Sequence, residues 1–191
     1  MESAIKAAEL QEYALFGGLE EEQLELFLRD HRILRMPAAY QPIFEGDWGD
    51  GIFLIRSGMA KVRHITIAGE EVVIALIGAG EIFGELSLLL GDGRRRADVL
   101  SLTPMEVVKL RSGVVDTATH TLPDFGLRLA RFEAQRLVHL GRRFGLRGED
   151  ATTRVLATLL ELACCNSRDN DPQAPIPDLS QSEIATIAGL A

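Results

Sequence analysis

Between about residues 32 and 110 the chain alternates short β-prone runs with glycines, and that rhythm narrows the folds open to it. The runs are Arg32–Met36, Ile52–Ile55, Met59–Thr66, Glu71–Ile77, Ala97–Leu102 and Met105–Leu110. Gly46, Gly49, Gly51, Gly58, Gly69, Gly78 and Gly80 fall between them. Several short strands at such spacing predict a β-sandwich or barrel. Ser57-Gly58 and Ala68-Gly69 are expected hairpin turns. Within this region only Gly84 to Leu90 reads as helix, a short turn that opens just after a glycine.

Both flanks read as helix. Residues 1–30 are helical in pattern, with Gly17-Gly18 as a break before Leu19–Leu28. From residue 112 helix returns, and Pro123-Asp124 suits the start of a long one. Beyond it Phe125, Leu129, Phe132, Leu137, Leu140 and Phe144 form an apolar stripe of about two heptads. Arg128, Arg131, Arg136, Arg142 and Arg143 flank that stripe. A stripe of this kind must be covered, either by the β-region or by the same helix of a second subunit. Gly145 and Gly148 mark a hinge. Asp150 to Thr153 opens a further helix through Cys165, and residues 166–177 form a polar loop. Ser180 is the expected N-cap of a last helix, with Glu183 closing a capping box and Gln181 in the first turn. Ile184, Ala185, Ile187 and Ala188 are its expected buried face, and Gly189 its turn.

Charge is unevenly placed. The net charge is −8, but residues 1–93 carry −9, residues 94–147 carry +6 and residues 148–191 carry −5. The basic middle could face an anionic ligand, the acidic N-terminal segment or DNA. No apolar run approaches the length of a membrane span, and Met1–Lys6 lacks the pattern of a secretory signal. Cys164 and Cys165, adjacent in sequence, cannot build a disulfide framework, which points to a reducing cytoplasm. Buried, inert thiols account for them better than a redox switch does. Phosphate-binding P-loops, GxSxG and HExxH are absent, so the sequence gives no support to an enzyme. No metal-ligand cluster is present, and a lone His64 or His139 is an ordinary residue before it is a haem ligand.

The segment Phe83-Gly84-Glu85-Leu86-Ser87, followed by Arg94-Arg95-Arg96-Ala97-Asp98, has the parts of an anion site. Backbone N–H groups at a helix start donate to an anion, and an Arg opposite supplies a planar fork. Arg95 is the leading candidate ligand, with Gly84, Glu85, Leu86, Ser87 and Arg96 around it. Glu85 could accept from a ligand hydroxyl. A glycine turn with solvated arginines is the plainer account of the same residues.

The order of these elements resembles the cyclic-AMP receptor protein/fumarate-nitrate reductase regulator (CRP/FNR) family along essentially the whole chain. Leu15–Leu19 resembles the family's opening helix, and Glu45–Asp50 with Ile55–Gly58 its first glycine hairpins. Phe83–Leu88 with Arg95–Val99 resembles its phosphate-binding cassette, and Leu179–Ala191 the first helix and turn of its helix-turn-helix. The resemblance implies an α+β protein in three parts. Residues 1–122 would hold N-terminal helices and a jelly-roll (double-stranded β-helix) effector domain. Residues 123–148 would be a dimerisation helix and hinge. Residues 149–191 would be part of a winged-helix DNA-binding domain, the chain being truncated within the helix-turn-helix. It implies an effector-responsive regulator acting as a homodimer on palindromic DNA, with RNA polymerase as a further partner. A cyclic-nucleotide-binding module acting on a protein partner is the alternative.

Three departures bear on the effector. Arg96 stands where cyclic-nucleotide-binding members carry Ser or Thr after the phosphate-binding Arg. Leu140 and Gly141 stand where the cAMP receptor meets the base with a Thr-Ser pair. Two cysteines are too few for an iron–sulfur cluster in one subunit. Some members sense 2-oxoglutarate, and Gly69-Glu70-Glu71, Ala75-Leu76 and Phe83 resemble their sensor strands. Arg136 would assist there, although Gly141 falls where those members carry a carboxylate. The effector is therefore left as a small anion, a cyclic nucleotide or 2-oxoglutarate, or none.

Overall fold

A computed structural model describes residues 5–190. Ala191 and the first four residues of the expected N-terminal helix lie outside the described residues. The N-terminal segment contains two short helices, α1 (Ala7–Leu10) and α2 (Glu21–Leu28), rather than continuous helix. The turns between them let Tyr13, Leu15 and Phe16 bury their side chains, and Gly18 takes a left-handed φ of 75° there.

Seven strands follow in two antiparallel sheets. β1 (His31–Met36), β2 (Gly51–Ser57), β5 (Ile82–Phe83) and β7 (Met105–Arg111) form one, in the order β1-β7-β2-β5. β3 (Ala60–Ile65), β4 (Glu71–Ile77) and β6 (Asp98–Ser101) form the other, in the order β4-β3-β6. The jelly-roll expectation holds. Gly58 and Gly69 sit at φ 86° and 83° in the two expected hairpin turns. β5 was not anticipated, because two residues carry no periodicity.

β2 shows why its apolar run is unbroken. Ile52 and Leu54 point into one core with Phe16, Phe27, Leu110 and Phe125. Phe53 and Ile55 point into a second core between the sheets, with Phe83, Val99 and Val107. A strand buried on both faces needs apolar residues at every position. In the first core Phe16 meets Phe27 edge-on at 4.9 Å, and Phe27 stacks on Phe125 at 5.5 Å. Tyr13 donates its hydroxyl to Ile55 O at 3.0 Å, and burial pushes that phenol up to about 12.

Short α3 (Leu86–Leu89) lies where the helical turn was expected. After α4 (Ser112–Thr121), the long helix α5 (Phe125–Leu146) begins behind Asp124, whose φ is 64° and whose side chain makes no cap bond. Its apolar stripe divides. Phe125 and Leu129 are buried in the first core and Phe132 packs against it, so the first turns of α5 are covered by this same chain. Leu137 and Phe144 remain 69% and 70% exposed, with Val138 and Leu140 also exposed. The part of the expected stripe that stays exposed thus lies in the second half of α5, because α2 and α4 already cover the first.

α6 (Ala151–Cys165) starts at Asp150, whose carboxylate accepts from Thr153 N at 3.0 Å. α7 (Gln181–Ile187) starts at Ser180, whose Oγ accepts from Glu183 N at 3.1 Å. Only half of the expected capping box forms, since the Glu183 carboxylate turns away to Lys61. Both helices pack on the β3–β4 sheet through a third core containing Met59, Val73, Leu76, Leu162 and Ile187. No helix among the described residues is long and apolar enough to cross a membrane.

Candidate functional site

The loop of residues 44–50 and the loop of residues 91–96 pair edge to edge. Gly49 N donates to Gly93 O at 2.8 Å, Arg95 N to Asp47 O at 2.9 Å and Gly46 N to Arg95 O at 3.0 Å. Arg94 stacks its guanidinium over the Trp48 ring at 4.4 Å. Beneath that cover Arg95 runs inward and is only 6% exposed. Its Nη1 donates to Gly84 O at 2.6 Å and reaches Ser87 Oγ at 3.3 Å, and its Nη2 donates to Gly51 O at 2.9 Å. Gly49 admits this path: a Cβ there would come within 2.8 Å of Arg95 Cζ.

Arg95 is an under-compensated charge. Its nearest carboxylate, Asp50, stands 3.8 Å away and is held by Lys109. Burial draws the Arg95 pKa below the ordinary guanidinium range, with Asp50 and Glu85 opposing. Two carbonyl oxygens and the Ser87 hydroxyl accept from its N–H groups, and Asp50 answers its charge only in part. An anion placed against it would gain a charge-assisted pair and free the carbonyls.

Glu85 lies at the same junction with its side chain 3% exposed. Its Oε1 accepts from Arg136 Nη1 at 2.8 Å, and Arg136 also donates to Ile82 O. The sequence placed Arg136 and Glu85 in one candidate set, and α5 brings them together across 51 positions. Gly84, at φ 85°, and Ser87 join Arg95. Leu86 is exposed, and Arg96 turns out to the surface, paired with Asp92 four residues back. The structure thus separates Arg96 from the buried cluster. Phe53, Asp50 and Gly51 complete it and were not anticipated. Glu133 also belongs here, and its position three residues before Arg136 was the available signal.

The C-terminal candidates meet a different part of the sheet. Lys61 is 2% exposed and its Nζ bonds Glu71 and Glu183 at 2.5 Å each. Arg143 donates to Val73 O at 3.2 Å, to Ile187 O and to Glu161, tying β4, α7 and α6 to α5. Arg154 Nε donates to Ala188 O at 3.0 Å, beside Gly189 at φ 68°. Gln181 is exposed in the first turn of α7. Cys165 Sγ reaches Leu76 O at 3.8 Å, and burial pushes its thiol up, away from the reactive thiolate. His64 pairs with Glu45 at 2.8 Å. Two surface clefts, of about 570 Å³ beside Glu9 and Arg56 and about 250 Å³ between Glu71, Arg143 and Arg154, lie away from Arg95. Among the described residues no group of three or more His, Cys, Asp or Glu could hold a metal.

Comparison with known proteins agrees with the fold. The cyclic nucleotide-binding domain matches residues 38–119. The cyclic AMP receptor protein of Thermus thermophilus is 30% identical over 176 residues, covering 92% of this chain and 78% of that protein. The CRP-like cAMP-activated global transcriptional regulator of Mycobacterium tuberculosis is 25% identical, covering 92% of this chain and 79% of the relative. Among solved structures, the Thermus thermophilus catabolite activator protein matches at 29% identity and TM-score 0.59, over 92% of this chain and 80% of that one. The c-di-GMP responsive global regulator CLP of Xanthomonas campestris shares the fold at 23% identity and TM-score 0.70, over 90% of this chain and 86% of that one.

Proposed function

The chain belongs to the CRP/FNR family of transcriptional regulators, and from that membership we propose that it acts as a homodimer on palindromic DNA, with a cyclic nucleotide at Arg95 as its effector. The observation that carries the effector reading is the buried Arg95, held by carbonyls with no carboxylate closer than 3.8 Å. A cyclic phosphate would take its fork, the Gly84–Ser87 turn would supply backbone donors, and Glu85 would accept the ribose hydroxyl. The relatives named for cAMP support a cyclic nucleotide over a dicarboxylate.

Residues 1–122 then form the effector domain, residues 123–148 the coupling helix and residues 149–191 the DNA-binding part. Leu137, Leu140 and Phe144 support the dimer, since an exposed apolar strip on α5 gains by being covered. A cytoplasmic location and a contact with RNA polymerase accompany this reading. The effector works by binding one arrangement of the DNA-binding part better than another. Matches that cover 92% of this chain favour a DNA-directed role over a module acting on a protein partner.

Calorimetric titration with cAMP and cGMP tests the effector. Saturable heat, lost in Arg95→Ala, is expected. No heat and no thermal shift at about millimolar nucleotide would overturn it. Sedimentation of Phe144→Asp against the natural chain tests the dimer. A natural chain that stays monomeric at tens of micromolar would overturn that part.

A further inference from the structure

Glu85 and Glu133 meet where α3 and α5 converge, and one cation serves both. Arg136 Nη1 lies 2.8 Å from Glu85 Oε1 and 3.9 Å from Glu133 Oε1. Glu85 Oε2 and Glu133 Oε1 are both buried and neither has a hydrogen-bond donor. Through Arg136 Nη1 the two carboxylates are brought to one point, each with an unpartnered oxygen. Arg136 is the cation in contact with both carboxylates and Arg95 acts on Glu85 from beyond ion-pair distance, so two ionised carboxylates would still leave two unanswered acceptors in a buried place. One proton on Glu133 Oε1, donated to Glu85 Oε2, satisfies both atoms at once.

We propose that Glu85 and Glu133 share a proton in the ligand-free sensor, and that an effector bearing hydroxyl and N–H donors displaces it. The ligand hydroxyl donates to Glu85 Oε2 in place of the Glu133 acid. Glu133 gives its proton to solvent and, as a carboxylate, accepts the ligand's N–H. Capture of effector thus releases one proton and tightens as pH rises. A ligand with acceptors only has nothing to offer this pair, so Glu133 selects for donor-bearing ligands. The inference rests on Arg95 and Glu85 forming the effector site.

The surroundings agree. Burial pushes the Glu133 carboxyl up to about 7, with the Glu85 charge adding to the rise and Arg136 opposing it. Arg136 is shared further, because it and His139 also face the half-buried Glu81, whose carboxyl burial likewise pushes up. Arg136 therefore cannot neutralise Glu133 alone. The sign follows from linkage: above about pH 7 the site is already deprotonated, and below it each pH unit costs about tenfold in apparent affinity.

Calorimetry with cAMP near pH 6, in two buffers of different ionisation enthalpy, counts the proton. About one proton released per site is expected, and about none near pH 8.5. Glu133→Gln, whose amide donates permanently to Glu85, should release none and should bind with pH-independent affinity. Glu133→Leu, which leaves Glu85 without that donor, should also lose the pH dependence. Carbon-13 titration of the side-chain carboxyls in the ligand-free chain should show one Glu with a midpoint near 7 that vanishes in Glu133→Gln. No carboxyl titrating there overturns the shared proton. Equal heats in the two buffers overturn the exchange. Absence of cAMP heat overturns the effector reading and the exchange with it, while the carbon-13 titration still decides the shared proton by itself.

Discussion

Lys61 and Arg95 are almost equally inaccessible, at 2% and 6% exposure, and their surroundings differ in kind. Lys61 is answered by two carboxylates of this chain, Glu71 from β4 and Glu183 from α7. Arg95 is answered by carbonyls and a hydroxyl, with its nearest carboxylate 3.8 Å off. A buried cation neutralised from within holds two parts of a molecule together. A buried cation held mainly by dipoles, with its carboxylate at the limit of contact, is suited to an anion that arrives from outside. Depth of burial does not distinguish a latch from a receptor; the identity of the partner atoms does.

The contrast breaks most readily at Arg95. Arg95→Ala should weaken cyclic-nucleotide binding by about 100-fold or more, since each hydrogen bond to a charged group contributes about 1.5–3 kcal/mol. Calorimetry reads this directly, and an affinity within about threefold of the natural chain would remove the distinction between the two cations. Lys61→Met comes next. It leaves Glu71 and Glu183 facing one another, and breaking a buried pair costs about 3–5 kcal/mol. Both carboxylates are partly exposed, so about 2 kcal/mol is expected in denaturant unfolding. Amide exchange in α7 should quicken while nucleotide affinity stays within about threefold.

Acid sharpens the same point more gently. Burial raises the Glu71 carboxyl, but the hydrogen bonds and charges of Lys61 and Arg63 outweigh it and hold the group below its ordinary 4.5. A depressed carboxylate contributes stability above its ordinary value and loses it as pH falls through the folded value. Protection of α7 should therefore drop below about pH 4.5, and Lys61→Met should show a weaker acid dependence there. The smallest effect is expected at Arg96. Its pair with Asp92 is open to solvent and screened by it, so Arg96→Ala should shift both stability and nucleotide affinity by less than about threefold. A larger loss of affinity would return Arg96 to the effector site.

Local patterns were legible in the sequence wherever one short stretch sufficed. The strands of the β-roll followed from glycine punctuation and apolar runs, and Ser180 from its place before α7. Arg95 stood out by its distance from the Gly84 turn. What escaped depended on partners far along the chain. The stripe on α5 named Phe125 and Leu129 as an apolar face, but only the packing of Phe16 and Phe27 shows that this chain covers them. Glu183 looked like a capping residue because its distant partner Lys61 lies 122 positions away. Glu133 shares a helix face with Arg136, yet its meaning comes from Glu85 in a different element. Periodicity specifies a face and not its occupant.

Gly78, at the end of β4, lies directly beneath the carbonyl of Cys165, so close that a Cβ there would overlap that oxygen. Surfaces packed this closely leave no room for an added atom. A single methyl group at position 78 would run into that oxygen, so Gly78→Ala must push the end of α6 away from β4.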